Sequence, residues 1–419
     1  MKLEKWTVAL AALGVVGLGS IVKAEEQASS VITALSSTTL SGYVDTSAQW
    51  NFGTGNANMP PYKFGGPSKA DGFNLDVVQL RIEKPLDESE WAAGYRADLW
   101  FGPDANVLGT RSTLSTGTSD FAIRQAYLAL RVPVFNGLDF KLGVFDSILG
   151  YESVESPNNP NYTRSYGHSI EPQTHTGLLA SYRFSDLVSA SVGIANTVNS
   201  SINSRAQQGS TGVSSGIFNT LFGTSPFPTG SNPYAESYKA YMGSVAITAP
   251  DSMGFLSGST LYGGVVNGYN NSVLGSGGGL PTLNAYVGST IATPVTGLRL
   301  GAAWDLLNVD TQFPGIGKVE ADVWSIAGYA SFQATEKLSL HGRFEYVTGD
   351  LDQPPTAVSG NGIYAVTATA QYDLWKNVLS RIEFRWDHAE HGLLFGGTDP
   401  GVPTRENAYM LAANIIYKF

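Results

Sequence analysis

One rhythm governs this chain from Leu40 to its last residue: apolar and polar residues alternate, over runs long enough to cross a bilayer. In TLSGYVDTSAQWNF, Leu40, Gly42, Val44, Thr46, Ala48, Trp50 and Phe52 share one parity, and Ser41, Tyr43, Asp45, Ser47, Gln49 and Asn51 the other. Successive side chains of a strand point to opposite faces, so each such run has one greasy face and one wet face. WAAGYRADLWF, LRLGAAWDLL, LSLHGRFEYVT and LSRIEFRWDH repeat the pattern. About sixteen such runs of roughly 10–14 residues can be traced, the length of a tilted strand in a membrane. The final run, NAYMLAANIIYKF, stops on Phe419 with no polar tail. Left open, that strand would be a sticky edge; closing it onto the first run near Leu40–Phe52 removes both edges, as lipid requires. The fold class read from this is all-β: a closed antiparallel transmembrane β-barrel.

The connections alternate in length. Segments near 53–72, 102–120, 150–172, 197–236, 268–281, 308–318, 349–361 and 388–404 are long and rich in Gly, Ser, Pro and Asn. Between them lie tight turns such as KPLDESE, VPVFNG, TPVTG and ATEK. Short turns on one side and long loops on the other suit an outer-membrane barrel, and no soluble sandwich has reason to sort its loops this way. GIFNTLF within 197–236 reads as a short helix. One run breaks parity: in FNLDVVQLRIEK the break predicts a β-bulge at Val77-Val78. Composition agrees, because charged residues make up only 14% against about 25% in soluble proteins. The mean hydropathy of -0.04 excludes a bundle of membrane helices.

The N-terminus predicts export. Lys2 and Lys5 precede an apolar run from Trp6 to Val22, and Val22-Lys23-Ala24 supplies a cleavage site. The domain reading is a signal peptide over 1–24, a periplasmic lead-in over 25–37 and the barrel over 38–419. Loss of Lys2, Lys5, Lys23 and Glu4 removes a net charge of +2, taking the chain from -10 to -12. That balance argues against nucleic acid as a partner.

A water-filled barrel works through charges on its inner face and through loops folded inward. Parity nominates as pore lining Arg96, Asp98, Arg124, Arg131, Lys141, Arg183, Arg299, Asp305, Arg343, Glu345, Arg381, Glu383, Arg385 and Asp387. The plain alternative is that an aqueous lumen tolerates charge and these residues pair across the wall; alternate residues such as Arg381, Glu383, Arg385 and Asp387 lie close on one face. Replacing Arg343 and Arg381 by Ala is expected to shift ion preference towards cations. The segment 150–172 is the candidate constriction loop, with Glu152, Glu155, Tyr162, Arg164, Tyr166 and His168 as its working residues and Pro157 and Pro160 stiffening it. An ordinary outer loop is the alternative.

His388-Ala-Glu-His391 invites a metal reading but lacks a third ligand, so no metal or other cofactor is expected. Catalysis needs a nucleophile, a base and an orienting group within hydrogen-bond reach. His175 and His341 lie in strands without a nucleophile motif beside them, which makes a barrel hydrolase the lesser reading. Trp50, Phe52, Trp91, Phe101, Tyr262, Trp304, Phe332, Phe344, Trp386, Tyr417 and Phe419 are expected to face lipid, as aromatic girdles do, with Trp100 turned inward.

Gly150-Tyr151-Glu152, the Asn158–Tyr166 run NNPNYTRSY and His175-Thr176-Gly177, preceded by FAIRQAYLALRVP over 121–133, resemble the OmpL-like β-barrel porin family of Gram-negative bacteria. The resemblance implies an outer-membrane porin passing small hydrophilic solutes and ions by passive diffusion, with a solute-selective transporter as the alternative. It supports a working role for 150–172, where its motif is concentrated. It also implies that the terminal strand, through Tyr417 and Phe419, is read by the outer-membrane assembly machinery. Porins of this size are often trimers, and the sequence shows no interface.

Overall fold

The computed structural model describes residues 37–53, 55–65, 69–108, 110, 119–206, 237–270, 280–313, 317–353 and 356–419. The expected signal peptide, all but the last residue of the lead-in and the GIFNTLF segment lie outside these residues. The strands are β1 (Thr39–Asn51), β2 (Gly72–Lys84), β3 (Ala92–Phe101), β4 (Phe121–Val132), β5 (Leu138–Asp146), β6 (Thr174–Arg183), β7 (Val188–Ala195), β8 (Ala240–Thr248) and β9 (Thr260–Asn270). They continue with β10 (Leu280–Ala292), β11 (Leu298–Phe313), β12 (Gly317–Gln333), β13 (Leu338–Gln353), β14 (Thr356–Ser359), β15 (Ile363–Trp375), β16 (Val378–Ala389) and β17 (Asn407–Lys418). All pair antiparallel. The short β14 only prolongs the outer ladder of β13, which runs on to β15, so the wall has 16 strands.

The seam closes where the chain's two ends meet. β1 pairs with β17 from Tyr43↔Lys418 to Asn51↔Met410. Phe419 and Gly42 exchange both backbone hydrogen bonds, at 2.9 and 3.0 Å. No edge is left for another chain to add to.

Alternation does the rest. Outward residues such as Val192, Tyr241 and Ile382 are 61–63% exposed, whereas Asp45, Glu383 and Arg381 on the inward face are at most 1% exposed. Trp50, Phe52, Trp91, Phe101, Trp304, Phe332, Phe344 and Tyr417 stand exposed on the outer face. Tyr262 is a correction: it lies at 8% exposure on the inward face, and its hydroxyl donates to the Ile148 carbonyl. Its register with Gly288, two residues from inward Tyr286, fixes that side.

Two further expectations change. The bulge lies at Asp76 rather than Val77-Val78: Asp45 faces Val77 and Thr46 faces Leu75, so Asp76 is the extra residue and Val77 points inward, fully buried. Residues 308–313, 317–318, 349–353 and 356–359 lie in strands rather than loops. β11, β12 and β13 carry their ladders on, through pairs such as Val309↔Ala321 and Ala321↔Leu351. The alternation continues there with buried Val309, Val319 and Leu351, and backbone pairing needs no lipid. Two single-turn α-helices, α1 (Asp104–Val107) and α2 (Tyr166–Ile170), and two 3-10 helices, Ser156–Asn158 and Asp251–Leu256, complete the described elements.

Candidate functional site in the barrel lumen

The connection from β5 to β6, residues 147–173, runs through the lumen rather than over its rim. Tyr262 on β9 holds the Ile148 carbonyl. Tyr151 stacks on Tyr329 of β12, ring centroids 4.0 Å apart, and its hydroxyl fills the space beside Gly301, where an added Cβ would sit 2.0 Å from it. Glu152 Oε1 accepts from Arg343 Nη1 of β13 at 2.8 Å. A few residues on, Glu155 sits among Arg81, Arg96 and Arg124 on β2, β3 and β4, bonded at 3.1 Å by Arg96 and 3.0 Å by Arg124. The loop thus reaches from β12–β13 to β2–β4 within Tyr151–Glu155.

The returning arm is pinned along β13–β16. Glu383 accepts from the backbone N–H groups of Tyr162 and Thr163, at 2.6 and 2.9 Å, and from Thr163 Oγ1 at 2.6 Å. Arg343 donates to the Thr163 carbonyl (2.9 Å) and Arg385 to the Arg164 carbonyl (3.0 Å). Arg381 donates to the carbonyls of Ser156 and Asn159. Tyr166 gives its N–H to Glu345 Oε2 (2.6 Å) and its hydroxyl to Asp387 Oδ1 (2.7 Å). α2 starts with Ser165 as N-cap, whose hydroxyl accepts from His168 N at 3.1 Å. Gly167 lets the turn lie against Asp305, where a Cβ would come within 2.2 Å of Oδ2. These buried bonds are charge-assisted, the strong kind.

Burial sets the protonation of the loop. It pulls the Glu155 carboxyl up, but Arg124, Arg81 and Arg96 outweigh it and hold the group below its usual value. Burial, reinforced by the Asp305 carboxyl, pushes Glu171 well up. Burial and then Arg164, Lys63 and Arg343 push His168 well down, so its ring, 3.7 Å from Glu171, is neutral at pH 7.

The family described as "Putative beta-barrel porin-2, OmpL-like" matches residues 37–419. The chain belongs to this porin family. The porin's fold is similar to an anion-selective porin from Comamonas acidovorans (13% identity, TM-score 0.54, 91% of this chain and 99% of that one). It is also similar to the outer-membrane channel DcaP of Acinetobacter baumannii (11%, TM-score 0.54, 91% and 97%) and to OmpT of Vibrio cholerae in a trimer form (12%, TM-score 0.53, 91% and 99%). No curated protein matches the sequence.

The nominated residues of this porin fall into two groups. Arg96 and Arg124 bond both Asp98 and Glu155, while Arg343, Glu345, Arg381, Glu383, Arg385 and Asp387 lie under the loop with Glu152, Tyr162, Arg164 and Tyr166. Arg131, Lys141, Arg183 and Arg299 sit towards the short turns. Arg131 pairs with Asp139 (2.6 Å) and Arg183 with Asp186 (2.7 Å), and Lys141 stands 5.1 Å over the Tyr127 ring. Among the described residues neither Lys141 nor Arg299 forms an ion pair. Trp100 turns inward and is buried against Gln79 and Phe64, leaving no open ring face. His388 bonds Asn407 at 3.0 Å, and no group of three or more His, Asp or Glu among the described residues has metal-holding geometry.

Sequence reading missed Arg81, Tyr62, Lys69, Asp76 and Asp104. Arg81 was legible, since outward Leu80 and Ile82 flank it. Tyr62, stacked 4.2 Å from the Arg385 guanidinium, lies in the first long loop, where no periodicity marks it.

Proposed function

We propose that this porin passes small hydrophilic solutes and ions across the outer membrane by passive diffusion, with residues 150–172 as its constriction. The observation that carries the reading is a loop bonded to strands on both sides of a charged, closed barrel. The wall supports it: its lumen face carries charged rows on β2–β4, β13 and β16, and its outer face is greasy. The test is conductance across a planar bilayer with residues 25–419 refolded in detergent under a salt gradient. Stepwise, long-lived openings are expected; silence from folded, inserted protein would overturn the reading.

The same loop favours a second reading, a solute-selective channel. Bonds on both sides leave little room, and a narrow path saturates. Flux into liposomes that levels off with solute concentration separates it from free diffusion. We read no catalytic role into the chain: Ser147 lies 3.2 Å from His175 Nε2, but both are buried and no Asp or Glu among the described residues orients the ring. The leader 1–24 directs export in this proposal, and Tyr417 and Phe419 present the terminal strand to the assembly machinery. Deleting Phe419 then impairs insertion far more than it alters the finished pore, which yield against single-channel conductance measures. A homotrimer is compatible with the fold, given the trimer form of the OmpT structure.

A further inference from the structure

The crossing loop meets the wall at its rear end through two carboxyl groups. Glu171, which caps α2 just ahead of β6, touches Asp305 of β11 side chain to side chain. Both are buried, at 7% and 3% exposure. The backbone is shaped to admit them. Gly150 holds φ at +115°, and any side chain there would collide with Glu171 Oε2. A side chain at Gly167 would collide with Asp305 Oδ2.

Two ionised carboxylates in contact repel, and burial multiplies the repulsion, so such a pair takes up a proton. No neighbouring donor removes that need. Asp305 Oδ1 has no hydrogen-bond partner, and the Ser325 hydroxyl of β12 approaches Asp305 outside hydrogen-bond geometry. His168 Nδ1 stands 3.7 Å from Glu171 Oε2, beyond hydrogen-bond reach, and neither ring nitrogen has a partner. Charge gives the same count. Lys63 of the first loop, which donates to the Glu171 carbonyl at 3.5 Å, answers one carboxylate. Glu152 of the crossing loop also faces the pair, but its own charge is met by Arg343 of β13 at 2.8 Å. Arg343 serves Glu345 as well, and Arg385 of β16 serves Glu345 and Asp387. Arg164 is spent on the carbonyls of Ser153, Tyr162 and Val154, and Tyr286 of β10 brings only a phenol. One negative charge is left between Glu171 and Asp305, and one proton cancels it.

We infer that Glu171 and Asp305 hold one shared proton, and that this proton is the latch keeping the rear of the crossing loop on the wall. An O–H···O⁻ bond of this kind is among the short, strong ones. Its O–H breaks when the proton passes to bulk water; two like charges then face each other in a dry site and drive α2 off β11. The loop is therefore held while the proton is bound and released as pH rises. Taken with residues 150–172 as the constriction, the reading on which it rests, the latch makes alkaline pH widen the path.

The test uses the refolded barrel, residues 25–419, in detergent. Amide hydrogen exchange of residues 166–173 is followed against pH and corrected for the intrinsic pH dependence of exchange. Protection is expected to hold at acid pH and to fall about tenfold per pH unit once the proton leaves, the slope of one proton. Asp305→Asn supplies an N–H in place of the shared proton, so its protection should stay level over the same range. Asp305→Ala, with neither donor nor acceptor, should lower protection at every pH. In planar bilayers the conductance of the unaltered barrel should rise where protection falls, and that of Asp305→Asn should not. Level protection in the unaltered barrel would overturn the inference, as would equal falls in it and in Asp305→Asn. Should the variants fail to insert, the slope measured on the unaltered barrel decides alone. Exchange reports the latch whether or not the barrel conducts. A silent barrel with pH-dependent protection defeats the permeation reading and keeps the latch; a conducting barrel with level protection does the reverse.

Discussion

The arginines of the inner wall form two populations that sequence cannot tell apart. Arg343, Arg381 and Arg385 are fully buried, every one of them committed to the crossing loop or to a carboxylate beneath it. Arg131 and Arg183, on the lumen face of β4 and β6, are partly open to water and pair locally near the short turns. The residue type and the alternation are the same; the difference is what lies over them. Burial turns a lumen charge from a contributor to the field along the solute path into a fastener, because a desolvated pair is held by its partner rather than screened by salt.

The widest test of this contrast removes the cover. Replacing residues 152–165 with a short Gly/Ser linker should raise single-channel conductance severalfold; unchanged conductance would show that the loop does not obstruct the path. Next, Arg343→Ala should cost on the order of 3–5 kcal/mol, because it leaves Glu152 buried without its ion-pair partner and Glu345 with Arg385 alone. Arg183→Ala, half in solvent, should cost about 0–1 kcal/mol. Urea unfolding in detergent micelles compares the two, and equal losses would dissolve the distinction.

Selectivity offers a third cut. Lys141→Glu and Arg299→Glu change two lumen cations that form no ion pair among the described residues and should move the reversal potential towards cations with little loss of stability. Arg381→Ala should instead loosen the loop, and its effect on ion preference should follow from that loosening. A larger selectivity shift from Arg381 than from Lys141 would sink the assignment.

The smallest effects are in pH. Glu155 has its folded value held down, so the folded state binds fewer protons than the unfolded chain; its contribution is present above about pH 4.3 and lost as pH falls below it. Glu171 has its value pushed up, so the folded state binds more protons; its contribution falls as pH rises above about 4.3. Glu155→Gln should therefore flatten the acid limb of a stability profile, and Glu171→Gln the alkaline limb. Identical profiles for both variants would contradict the opposed shifts.

Much of this was legible beforehand. Alternation placed Arg96, Asp98, Arg343 and Glu383 on the wet face, and the terminal Phe419 called for a closed seam. What alternation could not supply was depth. It says which way a side chain points, not whether a loop distant in sequence will land on it. The bulge was misplaced by one residue because Asp76 and Val77 both turn inward, and apolar Val77 imitates an outward residue. Tyr262 was assigned to lipid because an aromatic at a strand end suits a girdle, whereas its hydroxyl is spent on the loop. The ladders of β11–β13 outrun the bilayer, since strand pairing stops where backbone partners stop rather than where lipid does.

The wiring of the crossing loop also fixes an order of events. Tyr166 and Asp387 lie 221 positions apart, and Thr163 and Glu383 220. A chain emerging from its N-terminus completes the loop long before the strands that fasten its returning arm exist, and pairings so remote are slow to close. That arm must therefore wait, with only Glu155 tied to β2–β4, until β16 is laid against β15. The barrel completes its restriction as one of the last acts of its own assembly, and any intermediate lacking the final strands is an open sheet with its crossing loop fastened at one end.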